Sequence, residues 1–414
     1  MKTPKTRAKT STEKVERVAL EPGHIPSHIQ VASSEMTRDI NRDVVLGRIR
    51  ALQPVSRVDL ARASGLQPST ISSIVEQLLR ERWIREGAVA KTARGRRPTL
   101  ISLNDDLVIL AADVRPSRAV VALLDLNGRF LERQLVPLSS DPQRGVAMIA
   151  AVMQRFREKH PGYTFEGVGI SLPGRVDLKT GQLLLAPNLP WRDFNIQQKL
   201  EKELGLEVHL ENAANASLLS EMWFGRMEGV RNAVLLTISE GIGTGILANG
   251  HLVTGERGMA GEFGHICIDP EGPVCGCGAR GCWEVFASTR AALRYYHELQ
   301  PGSENKTILE LMSLSIDGDR LANKALEQQA RAIGQGMHLL NAVLSPDMIL
   351  IASDITVFSN TYFEVIEREC RAGLMAGEGP QLVVIGDGEV TRLRGAAAVA
   401  LQRHSGYYRA NHTH

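Results

Sequence analysis

The chain has 414 residues, 43% of them hydrophobic, 5% aromatic and 23% charged, a composition that excludes wholesale disorder and predicts two or three domains. No apolar run reaches the roughly 18 residues that a membrane span needs. The opening MKTPKTRAKTSTEK is basic and polar and lacks the apolar core of a signal peptide, so a cytoplasmic location away from membranes is expected. The net charge of +2 conceals a division. Residues 1–100 hold 19 Lys and Arg against 10 Asp and Glu, a net +9, which leaves −7 for the remainder. A basic front on an acidic back points to a nucleic-acid-binding head on a body with another ligand.

Residues 1–35 lack periodicity and read as a flexible basic arm. Residues 36–103 read as a winged helix-turn-helix. Its first helix is expected from about Asp39 to Leu52, with Ile40, Val44 and Ile49 near one face and Pro54 ending it. Ser56 opens a second helix, with Asp59 at the third position of a capping-box-like SRVD. Gly65 breaks that helix, and Pro68 stands where the third should begin. Ile71, Ile74, Val75, Leu78 and Leu79 then form one buried stripe at helical spacing.

The opposite face of the third helix carries Gln67, Ser69, Thr70, Ser72, Ser73 and Gln77, short donors and acceptors suited to base edges and phosphates. Trp83, Ile84 and Gly87 lead to Lys91, Arg94, Gly95, Arg96, Arg97 and Pro98, a basic wing whose Arg-Gly-Arg-Arg-Pro string suits a narrow minor groove. Three small helices also serve as dimerisation or docking modules. The wing and the charge division together favour DNA.

After Leu103 strands alternate with helices. Val108–Asp113 and Ala119–Asp125 read as a hairpin pair, followed by the turn chemistry of Asn127-Gly128. A helix over Val146–Lys159 precedes strands at Gly167–Ser171 and Val208–Leu210. Ala233–Ile238 opens a second half, with a late strand at Met348–Ala352. Residues 104–414 therefore predict an α/β body of two similar lobes.

Four of the five cysteines lie between Cys267 and Cys282. His265, Cys275, Cys277 and Cys282 are spaced H-x9-C-x-C-x4-C, a Cys3His set expected to fold around one structural Zn2+ in the 265–282 segment. Cys267 is a substitute ligand that fits the spacing less well, and Cys370 stands alone as a small buried residue.

The run GIGTGI at 241–246, Asn249-Gly250, Gly255, Gly258, AGEFGH at 260–265 and the cysteine cluster together resemble the ROK family of repressors and sugar kinases. The resemblance extends from the head to Gly395-Ala-Ala-Ala398. It implies a two-lobed actin-like (ribonuclease-H-like) sugar-kinase fold with sugar held between the lobes. It also implies sugar contacts from Gly174 and Arg175 in SLPGRVD, Asn188 in APNLPW, Asn212 in ENAANA, and Glu262, His265 and Glu284, with Glu211 opening the ENAANA segment. One ring nitrogen of His265 would face the metal and the other the sugar.

The chain departs from the family's kinases at three places. Ala213 stands at the general-base aspartate, and a methyl group accepts no proton. Asp113-Val-Arg-Pro-Ser117 replaces Asp-x-Gly-Gly-Thr at the first phosphate loop, and Ala352-Ser353-Asp354 replaces a glycine run beneath adenosine. The expectation is a non-enzymatic, sugar-responsive transcriptional regulator, a repressor of carbohydrate genes that binds operator DNA as a homodimer or tetramer. A sugar kinase carrying a DNA-binding head, and a regulator controlled by a protein partner, are the alternatives.

Overall fold

The computed structural model describes residues 34–89, 98–177, 180–186, 189, 191, 194–225, 227, 229–255, 258–353, 355, 360–374 and 378–402. The head comprises α1 (Ser34–Leu52), β1 (Val55–Ser56), α2 (Arg57–Ser64), α3 (Pro68–Arg80), β2 (Ile84–Val89) and β3 (Thr99–Leu103), its strands antiparallel in the order β1-β3-β2. Ser56 caps α2 by accepting from the Asp59 amide at 3.2 Å and donating to its carboxylate at 2.6 Å. Gly65 ends α2 at φ 71°, and Pro68 opens α3. Ile71, Ile74, Val75 and Leu78 are buried as the spacing predicts, with Leu79 half-buried.

The first helix corrects the sequence reading. Ile40 and Val44 are exposed, and the buried face is Val45, Leu46 and Ile49. Arg42 completes that face. It is 1% exposed, lies over the Trp83 ring at 5.6 Å and pairs with Glu81 at 2.6 Å. A charged residue at a core position breaks the apolar stripe, so the inward face is misread from hydrophobicity alone.

The first lobe runs through β4 (Leu107–Val114), β5 (Arg118–Asp125), β6 (Phe130–Pro137), α4 (Pro142–Lys159) and β7 (Thr164–Leu172). It continues with β8 (Arg175–Asp177), β9 (Gln182–Leu185), β10 (Phe194–Asn195), α5 (Ile196–Leu204), β11 (Val208–Asn212) and α6 (Ala213–Phe224). The second lobe has β12 (Ala233–Ile238), β13 (Ile242–Ala248), β14 (His251–Leu252), a 3-10 turn at Phe263–His265, α7 (Glu284–Ala287), α8 (Thr289–Leu299), α9 (Ile308–Ile316) and α10 (Arg320–Leu344). It closes with β15 (Met348–Ser353), α11 (Asn360–Arg371), β16 (Gln381–Val384) and α12 (Gly388–Gln402).

The main sheets run β11-β7-β4-β5-β6 and β14-β13-β12-β15-β16. Each is an antiparallel three-strand meander followed by two parallel strands on the other side of its first strand. The lobes thus repeat one topology, the actin-like arrangement that the resemblance implies.

Strand alternation places both sheets between layers. In β4, Val108, Leu110 and Ala112 join the core beneath α4 and α5, while Ile109 and Ala111 face α12 and the head. In β12, Val234 and Leu236 pack with α8–α11, and Ala233 and Leu235 pack with α6. Helices α6 and α12 therefore lie between the sheets, and glycine sets their spacing. A Cβ on Gly169 of β7 would stand 1.7 Å from the Ala396 carbonyl of α12. On Gly395 it would stand 2.1 Å from the Ala216 carbonyl of α6, and on Gly245 of β13, 2.8 Å from the Ala214 carbonyl. Sheet, helix, helix and sheet are stacked backbone on backbone.

Candidate functional site

The two parallel pairings in the first sheet set the register of the cleft edge. Asp113 on β4 lies beside Ser171 on β7, and Leu172 beside Asn212 on β11. The loops leaving these carboxyl ends converge, as they do at ligand sites of open sheets. After β7 the chain turns at Gly174, whose φ of 85° suits glycine. Arg175 then donates from Nε to Glu262 Oε1 at 3.3 Å, joining the two lobes.

After β11, Asn212 caps α6 by accepting from the Asn215 amide at 2.8 Å. Glu211 beside it is 5% exposed and accepts from the Asn215 side chain at 3.0 Å and the Asn212 amide at 2.8 Å. Burial outweighs these bonds and pushes its carboxyl up to about 7.

The donors of the metal segment come together. One ligand atom from each of His265, Cys275, Cys277 and Cys282 lies within 4.8 Å of every other. Cys277 and Cys282 sulfurs are 3.7 Å apart, and Cys275 Sγ is 3.6 Å from His265 Nδ1. A tetrahedral ion with metal–sulfur bonds of about 2.3 Å requires sulfurs about 3.8 Å apart, so the set fits a metal ion. Burial and the neighbouring thiols push Cys282 up to about 12, so three thiolates would coexist here only with a compensating cation. Cys267 is exposed and outside the cluster. Cys370 is buried, and that burial pushes its thiol up to about 11.

His265 connects this cluster to the cleft. Its Nδ1 faces the cysteines, and its Nε2 lies 3.8 Å from Glu262 Oε2, the same carboxylate that receives Arg175. Glu284 continues the chain of contacts. Its Oε1 is 3.7 Å from Cys275 Sγ, and its Oε2 accepts from the Ile242 amide at 3.0 Å. Arg175, Glu262, His265 and Glu284 are thus brought together, with the glycine loop at 241–245 tied to them. Asn188 lies outside the described residues.

The first phosphate-loop segment holds an unforeseen arrangement. Asp113 is 1% exposed, and its Oδ2 accepts from Arg115 Nε at 2.8 Å and Arg392 Nε at 3.1 Å. Its Oδ1 accepts from the Ser171 hydroxyl at 3.3 Å. Arg392 on α12 carries no motif that sequence reading could have used. Arg115 was visible as the residue displacing a loop glycine.

On the head, Gln67, Ser69 and Ser73 are exposed on α3, with Thr70, Ser72 and Gln77 half-buried. Ser72 donates to its own helix at the Pro68 carbonyl, and the Gln77 amide is held between Arg38, 2.8 Å, and Glu81, 2.7 Å. Thr37, Arg38 and Asn41 of α1 join Ser69, Thr70 and Ser73 along a groove of about 400 Å³. These α1 residues were missed, although their i, i+1, i+4 spacing on a polar face was readable. Arg94, Arg96 and Arg97 lie outside the described residues.

The pattern that defines the ROK family matches residues 110–403. A xylose repressor of Bacillus subtilis (strain 168) is 30% identical over 331 residues, 79% of this chain and 85% of its own length. The solved structure of a ROK family transcriptional regulator, a homologue of the Escherichia coli MLC protein, superposes with a TM-score of 0.77 at 27% identity, covering 90% of this chain and 98% of its own. A ROK glucokinase from Streptomyces griseus, solved with glucose and AMPPNP, gives a TM-score of 0.63 at 28% identity, covering 71% of this chain and 99% of its own. From cleft to cysteine cluster, the chain belongs to the ROK family.

Proposed function

We propose that the protein is a DNA-binding repressor whose operator affinity responds to a sugar in the interlobe cleft. The observation that carries this reading is the extent of the structural match. The regulator aligns over 90% of this chain, against 71% for the glucokinase. The additional length accommodates the head, where α3 presents short polar side chains beside the α1 groove. The relatives named as repressors support the same role.

In this reading Gln67, Ser69, Thr70, Ser72, Ser73 and Gln77 face DNA, with Arg94, Arg96 and Arg97 in the minor groove. Gly174, Arg175, Asn188, Asn212, Glu262, His265 and Glu284 surround the sugar, supplying the acceptors and donors that hydroxyls require. A homodimer presents two heads to a two-fold operator. Zinc is the ion proposed for His265, Cys275, Cys277 and Cys282. When bound, it supplies a closed tetrahedral anchor for the segment. His265 then keeps its Nε2 toward Glu262 and the cleft.

The kinase reaction is absent from this proposal for reasons of chemistry. Ala213 offers no base, Asp113 is occupied by two arginines, and the Ile242 amide in the remaining glycine loop is taken by Glu284. Gel shift on operator fragments selected from the genome, with and without sugars, tests the reading. Operator affinity that changes with one sugar supports it. Sugar-dependent ATP hydrolysis by the purified protein would replace it with the kinase alternative.

A further inference from the structure

We propose that the junction of head and body holds a second ligand site, which takes a small aromatic carboxylate and is sensed at the operator. A cavity of about 530 Å³ opens there. That is within the range of small-molecule pockets, and seams between domains are where such pockets concentrate. None of the residues proposed to hold sugar lines it. One wall is the α1 face around Gly47, and the other is the last turn of α6 with the Gly225–Gly229 turn beyond it. Asn127, from the turn between β5 and β6, closes a third side.

Arg50 supplies the charge. It stacks on the Trp223 indole and donates Nη2 to the Met222 carbonyl, and no carboxylate pairs with it among the described residues. Burial pushes its guanidinium down to about 10, with no anion to offset the cost. Arg48 and Asp43 line the same cavity with opposite signs, so one negative charge on the ligand matches Arg50. Asn127 spends its side-chain oxygen on Gln53, which leaves Nδ2 to donate to a carboxylate beside the arginine.

The remaining walls select the body of the ligand. Met222, Phe224 and Met227 face the cavity from one side, and Val44, 39% exposed, faces it from the other. Thioethers pack well against ring edges, so a flat aromatic body suits this lining. Sugar hydroxyls would find few partners on it. Gly47 keeps the space open, because a Cβ there would meet no atom within 4 Å.

The position gives the site its consequence. Helix α6 runs from Asn212 at the cleft to Trp223 and Phe224 at the cavity, and α1 belongs to the head. An occupant bridging the two favours one placement of the head over another, and operator affinity shifts by that difference. This second half rests on the reading of the head as DNA-binding.

Calorimetry on the full-length protein tests the site with benzoate, phenylacetate and indole-3-acetate, each beside its uncharged amide. At least one acid should bind, and about tenfold or more tighter than its amide, as a lost charge-assisted hydrogen bond requires. Arg50→Gln should erase that difference. Gly47→Leu, which fills the open space and leaves Arg50 in place, should abolish binding of acid and amide alike, with thermal unfolding reporting that the variant is folded. Failure of all three acids to bind, or binding that survives Gly47→Leu, would overturn the site. The probes contain no sugar, so that result leaves the sugar reading standing.

Gel shift provides the second readout. The acid that binds should change wild-type operator affinity about fivefold or more, and Gly47→Leu should be indifferent to it. Operator affinity that ignores a saturated site would overturn its regulatory role.

Discussion

The guanidinium of Arg50 lies over the indole of Trp223, 5.2 Å from the ring centroid, and its Nη2 donates to the Met222 carbonyl at 3.2 Å. Arg50 is in the last turn of the head's first helix, and Trp223 is in the last turn of α6. The other end of α6 is capped by Asn212 at the cleft. Twelve residues of helix, about 18 Å, therefore join the Asn212 end of the cleft to the head as one stiff piece. Gln53 adds a second connection by donating to the Asn127 side chain at 2.7 Å, one residue before the Gly128 turn against Phe224.

Trp223→Ala should uncouple these two ends. Allosteric coupling commonly amounts to about 5–150-fold in affinity. The variant's ratio of operator affinities, with and without effector, should fall toward one. Its effector affinity by calorimetry should remain that of wild type. A full effector response in gel shift would show that α6 does not carry the signal.

Much of this architecture was legible because hydrophobic period and cap chemistry agree locally. Ser56, Asp59, Gly65 and Pro68 mark their helix ends, and the His265–Cys282 spacing announces its cluster. The inward face of α1 was not legible, since Arg42 reaches the core through Trp83 and Glu81, a cation–π contact and an ion pair that no periodicity encodes. The Arg392–Asp113 contact joins residues 279 positions apart. The spacing of α6 and α12 depends on Gly169, Gly395 and Gly245, each indistinguishable in sequence from a turn glycine until the facing backbone is known.

That helix stack predicts a steep response to one methyl group. Gly395→Ala drives a Cβ to within 2.1 Å of the Ala216 carbonyl, a backbone atom that cannot rotate away. Overpacking of this kind costs about 1–3 kcal/mol, occasionally more. Gly47→Ala is the matched control, because nothing lies within 4 Å of its Cβ and it sits inside helix α1. There the change should stabilise by about 0.5–1 kcal/mol. Urea unfolding should separate the two variants in opposite directions from wild type.

Glu211 supplies a pH dependence. Its carboxyl is pushed up to about 7 by burial, so the folded state favours the protonated form. Stability from this group is fully present below the ordinary carboxylate range and is lost as pH rises through about 7. The loss amounts to about 3 kcal/mol. Glu211→Gln keeps an acceptor for the Asn212 amide and the Asn215 side chain but cannot ionise. Thermal midpoints should show wild type losing stability relative to Glu211→Gln between pH 5 and pH 8. Parallel pH profiles would place the titration elsewhere.

The cysteine cluster makes the last prediction. With His265, Cys275, Cys277 and Cys282 as four protein ligands, the tetrahedron is closed and has no position for an activated water. One zinc per chain is expected in protein purified without chelator, measured by elemental analysis. Cys277→Ser should lower that stoichiometry and loosen the segment, because metal binding and local folding are coupled. The consequence reaches the cleft through His265, whose two nitrogens lie 3.6 Å from Cys275 Sγ and 3.8 Å from Glu262. Loss of the anchor frees the ring, so effector affinity should fall about 10–100-fold, the usual cost of disturbing a metal ligand's support. The head lies apart from this segment, so Cys277→Ser should retain DNA binding in the absence of effector. Wild-type protein that contains no zinc and still responds fully to effector would refute the metal's role.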